Sequence, residues 1–119
     1  MNKYGNIKKI VNGHTFDSIA ESRMYQNLLL LEKAGKITHL TLQPSFELIP
    51  SYVNAAGERI HPLTYRADFQ FYDTEINRTR VVDCKGFKTK EYRLKKKLFD
   101  YQQRESQLFL EEDIRRLRL

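Results

Sequence analysis

Residues Thr64 to Tyr72 alternate apolar and polar side chains without interruption, and a second strand-like run, Arg80 to Lys85, follows after the polar turn Thr74-Glu75-Ile76-Asn77. Alternation of period two places successive side chains on opposite faces of a strand. Tyr65, Ala67, Phe69 and Phe71 therefore point one way, and Arg66, Asp68, Gln70 and Tyr72 the other. Two such runs joined by a short turn predict an antiparallel hairpin. A hairpin symmetric about Glu75 and Ile76 sets Asp68 opposite Asp83, Arg66 opposite Lys85 and Gln70 opposite Val81, all on one face. A slip of one residue would part them. In this register two carboxylates oppose each other directly, an arrangement that destabilises a strand pair unless something rewards it. A hard divalent cation is such a reward, because Mg²⁺ and Mn²⁺ take carboxylate oxygens, main-chain carbonyls and water. Lys85, two residues past Asp83, shares its face and suits a water or a phosphate oxygen. The competing reading is two surface ion pairs, Asp68 with Arg66 and Asp83 with Lys85, which contribute little.

The rest of the chain frames this hairpin. Ile7 to Val11 and His14 to Phe16 flank Asn12-Gly13, a strong hairpin signal. A helix is predicted from about Ser18 to Ala34, with Ile19, Met24, Leu28 and Leu31 near helical spacing. Asp17 or Ser18 would cap its start and Gly35 its end. Short strands follow at about His39 to Leu42 and Ser45 to Ile49, broken at Pro44, and Pro50 to Ile60 reads as a loop or wide turn. A basic helix is predicted from about Lys90 to Gln103, with Leu94, Leu98 and Tyr101 as its buried stripe. Gln107 to Leu110 reads as a last strand and Asp113 to Leu119 as a short terminal helix. At 119 residues with 40% hydrophobic content the chain has material for one domain, residues 1–119, and one core. The order of elements predicts an α/β or α+β sandwich, a central mixed β-sheet flanked by helices.

Charge narrows the partner. The formal net charge is +6, which favours an anionic partner, nucleic acid before membrane surface. Lys85, Lys88, Lys90, Arg93, Lys95, Lys96 and Lys97 crowd one short stretch, with only Glu91 between Gly86 and Phe99 to oppose them, and Arg115, Arg116 and Arg118 close the chain. The longest apolar run, Leu28 to Leu31, is far too short for a membrane span, and the first residues have no stretch of signal-peptide length. The single cysteine, Cys84, cannot form an internal disulfide. These features predict a cytoplasmic protein with no membrane partner. Cys84 alternates away from Asp83 and is expected in the core. His14, His39 and His61 lack metal-ligand spacing.

The stretches Phe16-Asp17-Ser18-Ile19-Ala20-Glu21, Leu42-Gln43-Pro44, Tyr65-Arg66-Ala67-Asp68-Phe69 and Val82-Asp83-Cys84-Lys85-Gly86-Phe87-Lys88-Thr89 resemble the PD-(D/E)XK nuclease superfamily. They resemble in particular a family of small phage proteins regarded as endonucleases like Holliday-junction resolvases, and the layout is also similar to the endonuclease subunit of heteromeric bacterial transposases. The likeness extends to about Phe99. Ala67 stands where the superfamily name has proline, and Asp83 where glutamate is commoner.

The resemblance implies a restriction-endonuclease-like sandwich and hydrolysis of DNA phosphodiester bonds with Mg²⁺, for which Mn²⁺ substitutes. It implies that Asp68, Asp83 and the Cys84 main-chain carbonyl hold the metal and that Lys85 positions the water. Glu21 matches a further carboxylate that many members aim at the same metal. Ser18-Ile19-Ala20-Glu21 equally reads as a capping box, in which Glu21 bonds back to Ser18, although a cap at Asp17 would place Glu21 past the box position. Lys88, Lys90, Arg93 and Lys97 follow directly on Lys85 and are the candidate phosphate contacts, and Gln43, at the strand break before Pro44, reads either as a polar turn residue or as a further DNA contact. The activity expected is structure-selective cleavage of branched DNA in phage recombination or replication, in the host cytoplasm, with two sites supplied by a homodimer for symmetric cuts. The rivals are a nicking or end-processing nuclease of transposition or packaging, and a non-catalytic DNA-binding accessory protein.

Overall fold

The computed structural model describes residues 9–16, 18–84 and 88–112. The Asn12-Gly13 signal produces the expected hairpin: β1 (Lys9–Val11) pairs antiparallel with β2 (His14–Phe16), and Val11 faces His14. Asn12 and Gly13 both take positive φ, 50° and 77°, as a turn matched to strand twist requires. Helix α1 (Ile19–Lys33) is capped by Ser18, whose hydroxyl oxygen accepts the Glu21 N–H at 3.1 Å. It ends with Gly35 at φ 76°. There the Lys36 N–H reaches the Leu31 carbonyl and the Gly35 N–H that of Glu32, the two bonds of a Schellman motif.

Four strands form the central sheet, in the order β10 (Leu110–Glu111), β9 (Arg78–Val82), β8 (Phe69–Asp73) and β3 (Ile37–Leu42). β9 is antiparallel to β8 and parallel to β10, so the sheet is mixed. Parallel neighbours need a crossover, and α2 (Lys90–Gln102) supplies it between β9 and β10. Val81 and Val82 are adjacent, fully buried and point to opposite faces. Val82 packs with Phe69, Phe71 and Ile37 against Met24, Tyr25, Leu28 and Leu31 of α1. Val81 packs with Tyr92 and Phe99 of α2 and with Leu110. The protein is thus an α+β sandwich with one helix on each face. Burial of rings such as Phe69, Phe71 and Phe99, each at most 1% exposed, contributes roughly 2–3 kcal/mol apiece. No helix among the described residues is long and apolar enough to cross a membrane.

Three expectations need correction. The alternating run Thr64 to Tyr72 is two strands, β7 (Leu63–Arg66), which pairs with β4 (Ser45–Ile49), and β8. Both partners break at the same level. Gln43 takes φ 51°, Pro44 has no N–H to give, and the chains are tied across the break by Gln43 N–H to the Asp68 carbonyl and Ala67 N–H to the Pro44 carbonyl. Past the break the alternation continues but the face has changed. Tyr65 and Ala67 pack on the α2 side, Phe69 and Phe71 on the α1 side. The second strand begins earlier than Arg80 and its ladder stops at Val82, just short of Asp83. The stripe on α2 is also rotated: Leu94 is 58% and Tyr101 65% exposed, while Tyr92 and Phe99 are buried with Leu98 beside them. Aromatic partners decide this phase, since Phe99 meets Phe46 edge-on at 4.8 Å and the Tyr65 ring at 6.1 Å. Smaller shifts also occur. Within the expected loop, β5 (Tyr52–Val53) and β6 (Arg59–Ile60) form a small hairpin, and β10 starts at Leu110 rather than Gln107. The predicted terminal helix, Asp113 to Leu119, lies outside the described residues.

Candidate functional site

The β8–β9 ladder runs from Asp73 opposite Arg78 to Phe69 opposite Val82, the register of the symmetric hairpin. The ladder ends there, and beyond it the Asp68 carboxylate reaches the Asp83-Cys84 segment at the Cys84 N–H. The Asp68 N–H is bonded to the Val82 carbonyl at 3.2 Å, and the Asp83 N–H to the Glu111 carbonyl of β10 at 2.9 Å. Both aspartates are therefore fixed by the main chain before their side chains act. Asp83 is 0% exposed and Asp68 is partly buried. A buried carboxylate must be matched by donors or a cation. Asp68 Oδ2 accepts the Cys84 N–H at 2.6 Å, and Asp83 Oδ2 accepts the hydroxyl of Tyr65. Cys84 follows Val82 to the α1 side, where its side chain packs against the core as expected.

Three residues near Asp83 were not singled out from the sequence. Tyr65 is itself buried, and its ring lies 6.1 Å from that of Tyr92. The Tyr92 hydroxyl donates to Glu112 Oε2 at 2.8 Å, and Lys88 Nζ stands 3.6 Å from the same oxygen. Burial pushes the Tyr92 phenol well above its ordinary value, and the hydrogen bond to Glu112 and the charges of Asp83, Glu112 and Asp100 push it the same way. Tyr92 therefore stays a neutral donor in an acidic neighbourhood. No local signal could have found this set. Tyr65 precedes Asp83 by 18 positions, and the face change at Ala67-Asp68 is what turns it toward Asp83.

The remaining candidates are distributed as follows. Lys85 lies outside the described residues, as do Asp17, Arg115, Arg116 and Arg118. Glu21 is buried, 7% exposed, on α1. Because Ser18 is the cap, Glu21 occupies the capping-box position rather than the one beyond it. Gln43 is exposed and holds Asp68 through its main chain. Lys88, Lys90, Arg93 and Lys97 are all exposed. Lys95 and Lys96 are instead paired along the helix, with Glu91 at 3.2 Å and Asp100 at 2.7 Å. His14, His39 and His61 are exposed.

Among the described residues no group of three or more His, Cys, Asp and Glu side chains gathers to cage a metal ion. Magnesium does not require one, since it is commonly held by one or two carboxylates and keeps several waters. Two aspartates at the end of the ladder, one of them fully buried, with the Cys84 carbonyl next in the chain after Asp83, are a hard-oxygen donor set of that kind, and the residues fit. Comparison with curated proteins and with solved structures finds no match. A family model described as "Protein of unknown function (DUF1064)" matches residues 1–117, and the chain belongs to that family.

Proposed function

We propose that this chain is a metal-dependent DNA endonuclease, structure-selective for branched DNA, with its site at Asp68, Asp83 and Lys85. The observation that carries the reading is the end of the β8–β9 ladder, where the fully buried Asp83 is followed by a main-chain N–H that the carboxylate of Asp68 accepts. These two carboxylates immediately precede the crossover into a basic helix. Asp68, Asp83 and the Cys84 carbonyl would hold Mg²⁺, with Mn²⁺ as a substitute. When bound, the metal supplies Lewis-acid polarisation of the phosphoryl oxygen and a lowered water pKa. The Cys84 N–H and the Tyr65 hydroxyl orient the two carboxylates. Lys85 is assigned to the water, and Glu21 to a further carboxylate oxygen. Lys88, Lys90 and Lys97 hold the phosphate backbone as point charges, and Arg93 is the one planar fork of the set that could read guanine. Two chains, as a homodimer, would supply the paired cuts that resolve a junction.

The test is incubation of supercoiled plasmid and a labelled four-way junction with and without Mg²⁺. Wild type should cut only with metal, and the junction faster than linear duplex of the same sequence. Asp68→Asn and Asp83→Asn should each lose at least about a thousandfold in rate, roughly 4 kcal/mol of barrier, while binding DNA as before. Glu21→Gln keeps the cap and should lose at least about tenfold. Near wild-type cleavage by either aspartate variant sinks the site. Binding without cleavage by wild type returns the chain to the accessory-protein reading.

A further inference from the structure

The rotated stripe on α2 leaves a surface that phosphate contacts alone do not explain. Lys90, Arg93, Leu94, Lys97 and Tyr101 are all exposed and recur at steps of three and four, so they share one face of the helix. No ion pair among the described residues engages Lys90, Arg93 or Lys97. Single exposed apolar residues are ordinary. Here a leucine at 58% and a tyrosine at 65% exposure alternate with three cations along a line. Arg104 extends it, with its guanidinium carbon 3.9 Å from the Tyr101 ring centre and a 2.6 Å bond to the Tyr101 carbonyl holding it there. The tyrosine ring is thereby backed on one side by a fixed cation and still open to solvent.

We propose that this face binds single-stranded DNA, with Tyr101 stacking on an unpaired base and Lys90, Arg93 and Lys97 tracking the phosphates. Charge complementarity selects a polyanion, and the exposed ring selects one with flat apolar faces. Proteins that hold single strands combine these two features. Lys90 and Tyr101 lie about 16 Å apart along the helix at its usual rise. A short unpaired segment leaving the aspartate site would run along α2 and end on Tyr101. The inference takes DNA as partner from the proposed function and names the part of the substrate this face takes. It does not depend on cleavage.

The experiment measures binding in the presence of a chelator, using a labelled oligothymidylate and an abasic deoxyribose-phosphate chain of the same length and charge. Wild type should prefer the oligothymidylate by roughly tenfold, within the range for one stacked base. Tyr101→Ala should abolish that preference without changing the salt dependence on either probe, and Tyr101→Phe should retain it. Lys90→Ala with Lys97→Ala should weaken both probes alike and flatten the salt slope by about 1.4 units, at 0.7 per phosphate on a single strand. Equal wild-type affinity for the two probes overturns the inference. So does a Tyr101→Ala variant that loses both equally, or a Tyr101→Phe variant that behaves like alanine. A protein that never cuts DNA yet shows the base preference keeps this inference and loses the nuclease reading. One that cuts without the preference does the reverse.

Discussion

The acidic residues around the β8–β9 hairpin are treated in two opposite ways. Asp73 at the turn end, and Glu111 of β10 where it pairs with Val82, are answered by guanidinium groups. Arg80 reaches Asp73 at 3.0 Å and clasps Glu111 with two nitrogens at 2.9 and 2.6 Å, and Arg78 adds a contact at 3.8 Å. The hydrogen bond to Glu111 pushes Arg80 further toward its charged form, and Asp73 adds to it against the cost of burial. At the open end Asp68 and Asp83 adjoin, each oriented by a neutral donor, an N–H and a phenol. The first set is explained by stability alone. The second fits the proposed metal site.

The contrast is sharpest in stability measurements. Arg80→Ala should cost about 3 kcal/mol in denaturant unfolding. The low end of the range for breaking a buried pair applies, because the Arg80 side chain is 14% exposed. Its gain from added Mg²⁺ should match wild type, and a lost gain would mean that the two ends are not independent. At the open end the signs reverse. Mg²⁺ at a hundred times its dissociation constant should stabilise wild type by about 2.7 kcal/mol. Asp68→Asn with Asp83→Asn should lose that gain yet be at least as stable as metal-free wild type. A clear fall in its melting temperature would make this pair structural, like the Arg80 cluster. The smallest effect belongs to Tyr65→Phe, which keeps the ring and removes only the hydroxyl. Metal affinity by calorimetry should weaken about fivefold, near 1 kcal/mol. Unchanged affinity would leave Tyr65 a packing residue.

The hairpin register was legible because three local signals agreed: the alternation, a four-residue polar turn, and its symmetry. The strand break at Ala67-Asp68 was not, because its cause sits on another strand, at Gln43 and Pro44. The contact from Tyr65 to Asp83 depends on that break and stayed hidden with it. On α2 the period was readable and the phase was not. Leu94, Leu98 and Tyr101 fit helical spacing as well as Tyr92 and Phe99 do. The choice was made by Phe46 and Tyr65, which are distant in sequence. Glu21 illustrates the limit from the other side, since its proposed role rests on resemblance to a motif.

The bond from the Asp83 N–H to the Glu111 carbonyl has a consequence for the order of folding. The hairpin that brings Asp68 to Asp83 closes over the four residues Thr74 to Asn77, whereas the parallel pairing of Val82 with Glu111 waits for the crossover through α2. For flexible loops of those lengths closure differs by roughly 1.7 kcal/mol, and contacts of long sequence separation form late. The two aspartates are therefore brought together early, on a hairpin still open to water, where their repulsion is screened. Asp83 is sealed from solvent only when the final strand docks beside it. Burial of the site and completion of the domain are then a single event, and a chain stalled before that step would carry both carboxylates on an unfinished sheet.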